Sequence, residues 1–198
     1  MGTTERTVVV IDGHPDPDPK RLVHGLAGAY IESAQQAGHS IELVRLADLD
    51  IPLLRSERDW QSGDVPADVA QAQEKIRAAD HLVFVFPLWL GSMPALLKAF
   101  LEQVMRPGFA FDEEAREGGG QRLLAGKSAR IVVTMGMPAL FFRWFYRAHG
   151  VRFFKRNILK FCGISPVRSV YFGLAGSGSP GRRDKAMQKM RRWGREAR

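Results

Sequence analysis

The residues from Asp12 to Arg21 read Asp-Gly-His-Pro-Asp-Pro-Asp-Pro-Lys-Arg and separate an apolar run from a helical stretch. A loop in that position is an anion site by geometry, because unpaired N–H groups and the helix dipole converge on it. His14, Lys20 and Arg21 add side-chain donors. Three features oppose a phosphate: Pro19 lacks an N–H, Asp16 and Asp18 repel an anion, and Asp18 is suited to cap the helix itself. The local residues leave two readings open, a phosphate loop and a rigid, proline-stiffened turn. A second locus lies at Pro87-Leu88-Trp89-Leu90, where the apolar run 82–86 stops at a proline and a helix restarts after Pro94. Trp89 is left in a loop at the carboxyl end of a central strand, where open α/β sheets bind ligands, and a slot there suits a flat cofactor.

Other chemistries fare worse. Ser92 is not in a Gly-x-Ser-x-Gly elbow, and Cys162, the only cysteine, excludes an intrachain disulfide and a thiolate cluster. His14, His24, His39, His81 and His149 have no metal-ligand spacing, and Asp12, Asp16 and Asp18 lack the terminal Glu of a calcium loop. No metal is expected.

Apolar runs at 8–11, 41–46, 82–86, 131–135 and 167–172 alternate with helical segments at 20–37, 65–79, 94–105, 140–161 and 182–194. Five β/α pairs imply a doubly wound parallel sheet with helices on both faces, a three-layer α/β/α fold occupying residues 1–198 as one domain. Loops at 46–64, 106–121 and 173–181 are long, and the glycines 118–120 should be flexible. Of the net charge of +8, residues 182–198 carry +6, with eight Lys/Arg and two Asp/Glu, leaving +2 for the rest. That concentration argues against a nucleic-acid surface and for a basic last helix packed on the domain, peripheral enough that truncation after Gly181 should leave a cofactor bound. No apolar stretch approaches the roughly 20 residues of a membrane span, and no secretory signal stands at the N-terminus, so a cytoplasmic protein is expected.

The strand followed by His-Pro-x-Pro, the Pro-Leu-Trp loop with Met-Pro-Ala-Leu-Leu-Lys after it, Pro-Gly-Phe-Ala-Phe, Thr134-Met-Gly and His149-Gly150 occur in this order over most of the chain. The set resembles the flavodoxin-like NAD(P)H:quinone reductase family. The resemblance implies a flavin at the carboxyl ends of the strands, its phosphate facing His14 and the stretch Lys20, Arg21 and Leu22. Its ring would be bordered by Pro87, Leu88, Trp89 and Leu90. N–H groups of the loop at Thr134, Met135 and Gly136 would meet the edge of the ring on which charge develops during reduction. The family often carries aromatics where Leu90 and Gly91 stand, so the slot is expected to be wider. A Ser or Thr hydroxyl is replaced by Pro19.

Tyr146 and His149 resemble a Tyr/His pair beside the hydride-accepting ring, with different spacing; the other readings are a packed aromatic and a capping histidine. Phe109 and Phe111 would line the substrate mouth from across a dimer, or else anchor their loop to the core. The implied activity is hydride transfer from NADH or NADPH through flavin, FMN favoured and FAD possible, to a quinone or similar electron-poor aromatic. The alternative is a flavin-binding regulatory subunit of a partner such as a potassium-efflux transporter. The aromatic run 141–146 is too apolar for a solvated helix and points to a homodimer.

Overall fold

A computed structural model describes residues 4–112, 120–175 and 180–198. The sheet comprises β1 (Thr7–Asp12), β2 (Ser40–Arg45), β3 (His81–Pro87), β4 (Ser128–Thr134) and β5 (Val167–Phe172). Its order is β2-β1-β3-β4-β5 and every pairing is parallel. The chain reverses direction across the sheet between β1 and β3, the switch point at which such sheets hold ligands beyond their carboxyl ends. Because strand residues alternate between faces, each strand feeds two cores. Val9, Ile11, Leu82, Phe84, Phe86, Ile131 and Val133 meet α3 (Ala67–Ala78) and α4 (Ala95–Val104) on one side. Val8, Val10, Val83, Val85 and Val132 meet α1 (Leu22–Gln36) and α7 (Pro180–Arg195) on the other. The small β-branched face lets α1 and α7 lie close: a Cβ on Gly194 would stand 2.3 Å from the Tyr30 carbonyl.

Three expectations change. The short α2 (Glu57–Ser62), capped by Ser56 accepting from the Asp59 N–H, lies inside the loop expected at 46–64. The helix expected over 140–161 is broken into α5 (Ala139–Trp144) and α6 (His149–Phe153), which runs on as a π-helical stretch, Phe154–Leu159. Arg147 and Ala148 between them hold left-handed φ of 50° and 49°, which no continuous helix allows. The basic last helix is not peripheral. Ala186, Met190 and Ala197 are buried in the α1 core and Trp193 stacks 4.0 Å under the Arg130 guanidinium, so truncation after Gly181 would open that core rather than trim a tail. Part of the glycine triplet at 118–120, and of the loop 173–181, lies outside the described residues.

Candidate active site at the strand ends

The loop after β1 is ordered by its own side chains. Proline at 15, 17 and 19 leaves N–H groups only on the alternate residues, and each of these donates two positions back: His14 N to Asp12 Oδ1, Asp16 N to His14 Nδ1, Asp18 N to Asp16 Oδ1 and Lys20 N to Asp18 Oδ1. The loop is therefore rigid, and its own N–H groups are spent. Beneath it His24, from the first turn of α1, sets Nδ1 2.5 Å from the buried Asp12 carboxylate and donates Nε2–H to the Asp16 carbonyl at 2.9 Å. His14 accepts at Nδ1, so its remaining proton sits on Nε2. Burial, then the neighbouring His24, holds its pKa below the ordinary histidine value and favours that neutral form.

Anion capacity is found one turn further on. Asp18 does not cap α1, whose N-cap is Arg21 without a side-chain cap, and the N–H groups of Leu22, Val23 and His24 have no acceptor among the described residues. The Asp16 carboxylate, expected to repel a phosphate, is engaged by Arg21 Nε at 2.8 Å; Asp18 Oδ2 lies 3.7 Å from Arg21 Nη2. Backbone and Arg21 donors lower the Asp16 pKa. Lys20 projects unpaired among the described residues. Beside Lys20, Arg21 and Leu22 opens a cleft of about 680 Å³ whose far wall is α7, with Arg182, Arg183, Lys185 and Lys189 against one carboxylate, Asp184. This wall is absent from the sequence reading, because the packing of α7 on α1 brings the two chain ends together.

The loop after β3 starts at the all-buried strand His81–Pro87. Leu88 N–H donates to the Thr134 carbonyl at 2.7 Å, and residues 89–92 then close a two-bond turn, Trp89 N to Ser92 O and Ser92 N to Trp89 O. Its central residues, Leu90 and Gly91, have φ of 48° and 80°, a left-handed pair suited to a tight hairpin and costly at a leucine. Trp89 is half-exposed and meets the edge of the His14 ring, centroids 6.0 Å apart, so the first and third loops touch. The loop after β4 is fastened by Met135 N–H to the Phe172 carbonyl, while Leu174 and Ala175 donate back to Met137 and Met135. Gly136 and Met137 keep N–H groups without acceptors among the described residues, and a Cβ added at Gly136 would meet nothing within 4 Å.

His149 joins this cluster through its neighbour. A Cβ on Gly150 would stand 2.4 Å from the Gly91 carbonyl oxygen and 2.9 Å from Ser92 Cα, so α6 starts in backbone contact with the Trp89 turn. The left-handed Arg147 and Ala148 aim the chain there, and His149 is exposed. Tyr146 is also exposed, with its ring edge-on to Phe141 and Phe145. Phe109 and Phe111 are not brought to the strand ends. They are 7% and 3% exposed, Phe109 under the Arg77 guanidinium and Phe111 between Trp60 and Phe161, at an apolar groove of about 560 Å³ between α2, α4 and α6. Cys162 is buried there and its thiol pKa is pushed up to about 12, consistent with inert filler. Among the described residues no cluster of metal-ligating side chains occurs and no helix is long and apolar enough to cross a membrane.

A planar, phosphorylated cofactor fits these features. Unpaired N–H groups at the start of α1 and a basic wall suit the phosphate. The half-exposed Trp89, the open Gly136 and the free N–H groups at 136 and 137 suit a flat polar ring.

A family model for the flavodoxin-like fold matches residues 6–196. An FMN-dependent NADH:quinone oxidoreductase 2 of Listeria innocua is 30% identical over 187 residues, covering 83% of this chain and 85% of that protein. The human ribosyldihydronicotinamide dehydrogenase [quinone] is 35% identical over 113 residues, 53% of this chain and 46% of that protein, so the chain spans less than half the length of this relative. The solved NAD(P)H:quinone oxidoreductase of Methanothermobacter marburgensis superposes with a TM-score of 0.81 over 98% of this chain and all of its own, at 23% identity, a likeness of fold. Matched by the family model over nearly its whole length, and built on the sheet order and strand-end loops described above, the chain belongs to the flavodoxin-like family to which it is similar in sequence.

Proposed function

We propose that the protein is a flavin-dependent oxidoreductase that takes hydride from NADH or NADPH and passes it to a quinone or similar electron-poor aromatic. One observation carries this reading: three loops and the start of α6 converge at the carboxyl ends of β1, β3 and β4, with free N–H groups at both ends of the resulting slot. The names of the quinone oxidoreductases to which the chain is similar support the same activity, and the FMN of the Listeria enzyme supports FMN as the flavin. The flavin, when bound, supplies the hydride-accepting ring that no side chain can.

The protein's part is to hold and polarise. Leu22, Val23 and His24 N–H groups bind the phosphate, with Lys20 alongside, and the Asp12–His24 pair keeps the loop above them fixed. Trp89 and Leu90 border the ring, and the Gly136 and Met137 N–H groups stabilise charge at its edge without moving. His149 offers an imidazole within the same cluster to share a proton or charge with the reduced ring. Tyr146 is its candidate companion. Phe109 and Phe111 bear on a substrate only through a second copy; a homodimer, to which the exposed aromatic run 141–146 points, is part of this proposal, and light scattering tests it. The protein is expected to work in the cytoplasm. No observation favours a regulatory subunit.

The test is direct. Purified protein should be yellow with about one flavin per chain, released by heat and identified by chromatography, and should oxidise NAD(P)H at the expense of a quinone. A colourless protein that takes up neither FMN nor FAD ends the proposal.

A further inference from the structure

The opposite edge of the sheet holds a second polar cavity. At the amino ends of β3, β4 and β5 a space of about 550 Å³ is lined by Arg6, His81, Ser128, Ser165, Arg168 and Arg198, together with the carboxylates of Glu5, Asp80 and Glu196. The length of a strand, about 20 Å, separates it from the candidate active site. Two of the three carboxylates are engaged: Glu196 pairs with Arg192 at 3.2 Å and with Arg198 at 2.5 Å, and Asp80 accepts the Thr7 N–H at 2.8 Å. Arg6 and Arg168 are in no ion pair among the described residues, and the Arg6 side chain donates only to the Ala197 carbonyl. His81 is the buried member. It is 3% exposed, its Nδ1 lies 2.7 Å from Ser128 Oγ, and its Nε2 is buried with no hydrogen-bond partner among the described residues. With the hydroxyl donating to Nδ1, the ring proton sits on Nε2, a donor that lacks an acceptor. The charges acting on the ring are all guanidinium groups: after burial itself, Arg130, Arg6 and Arg168 hold its pKa down to about 3. Arg130, buried and stacked on Trp193, adds its charge from behind the cavity.

We propose that this cavity is a second anion site that takes a phosphate group, free or on a small phosphomonoester, with Arg6 and Arg168 on its oxygens and His81 and the serine hydroxyls completing the donor set. A cation would be repelled by the guanidinium groups. A phosphoryl group suits the site better than a carboxylate, because three acceptor oxygens in a tetrahedron can meet donors that arrive from the segment before β1, from β3 and from β5 at once, and guanidinium groups bind it through paired N–H groups. The bound anion would tie those segments to the last turn of α7, which lines the cavity through Glu196 and Arg198 while its first turns wall the cleft beside Lys20. Its effect is therefore expected on the stability of the α7 packing, at a distance from the chemistry proposed above and independent of it.

The test follows Tm of the full chain by circular dichroism in inorganic phosphate or glycerol 3-phosphate, against NaCl of equal ionic strength, with FMN at saturation so that the strand-end site does not report the added ligand. At about ten times Kd either ligand should raise Tm by about 3–6 °C beyond NaCl. Arg168→Gln and Arg6→Gln, both at exposed residues, should each weaken the affinity about tenfold. Lys20→Gln, altered at the strand-end site, should leave it unchanged, which keeps this result separable from that of the proposed activity. The imidazole resonances of His81, assigned by their loss in His81→Gln, should shift in proportion to the ligand bound. Tighter binding of glycerol 3-phosphate than of phosphate makes an organic monoester the ligand, and equal binding makes it phosphate itself. Absence of a rise beyond NaCl with either ligand overturns the proposal, as does undiminished affinity in both arginine variants. Affinity lost in Lys20→Gln but kept in Arg168→Gln also overturns it, by assigning the ligand to the strand-end site.

Discussion

Gly150→Ala tests the contact that brings α6, and with it His149, to the Trp89 turn. The added Cβ would lie 2.4 Å from the Gly91 carbonyl oxygen, 2.9 Å from Ser92 Cα and 3.1 Å from Ser92 Cβ, against the 3.4 Å or more of an ordinary contact. The two nearest obstacles are backbone, so the turn or the helix must move by several tenths of an ångström. Overpacking costs roughly 1–3 kcal/mol, and against backbone the upper part of that range, about 2–3 kcal/mol, applies; alanine as the better helix residue offsets about 1 kcal/mol, for a net loss of about 1–2 kcal/mol. Gly28→Ala is the matched control: Gly28 is exposed in the middle of α1, no heavy atom lies within 4 Å of its added Cβ, and alanine there should stabilise by about 0.5–1 kcal/mol. For a chain of this size each kcal/mol moves Tm by roughly 2–4 °C, so the Tm values of the two variants should lie about 3–12 °C apart, Gly150→Ala below the parent and Gly28→Ala above it. Urea unfolding and flavin titration complete the assay, with Gly150→Ala also binding flavin more weakly because the turn bordering the ring has shifted. If Gly150→Ala proves as stable as Gly28→Ala and keeps full flavin affinity, the backbone contact is not as described and His149 has no structural reason to be in the cluster.

His149→Ala should leave flavin content nearly intact while slowing reduction of the bound flavin by NAD(P)H about 10²-fold in stopped flow; an unchanged rate per bound flavin removes His149 from the catalytic list. His24→Ala strands the buried Asp12 carboxylate and should cost about 3–5 kcal/mol in urea unfolding with a parallel loss of flavin affinity, whereas a loss under 1 kcal/mol would deny the pair its bracing role. Burial holds the pKa of His81 down to about 3, so the unfolded chain takes up a proton below its ordinary value of 6.5 that the native state refuses. Stability is therefore full above about pH 6.5 and falls as pH drops toward 3. The loss at pH 5 is on the order of 2 kcal/mol, and it should shrink in His81→Gln when both are compared by urea unfolding.

Much of this protein can be read directly in its amino-acid order. Alternation of apolar runs with helical spacing gives five strands; the central three, β1, β3 and β4, are nearly continuously apolar because both their faces are buried, a local requirement, while the edge strands β2 and β5 are mixed in character. The strand-end positions of His14, Trp89 and Gly136 follow from the same alternation, since an open parallel sheet puts every βα loop on one edge. What the order of residues left open was decided by pairing at a distance. Whether the first loop is a phosphate cradle or a stiffened turn depends on where its N–H groups go: the prolines and their aspartate neighbours consume those at 14–20, and only the helix frame frees Leu22, Val23 and His24 for an anion. The role of Gly150 depends on Gly91 across the fold, and the basic residues of α7 become a wall of the site because the small valine face of the sheet lets α7 lie beside α1. Phe109 and Phe111 carry the same aromatic signal whether they line a mouth or fill a core, and only the folded chain shows their own neighbours, Arg77 beside Phe109 and Trp60 and Phe161 beside Phe111. Periodicity reports which side of an element is buried, while the partner that buries it is a property of the assembled chain.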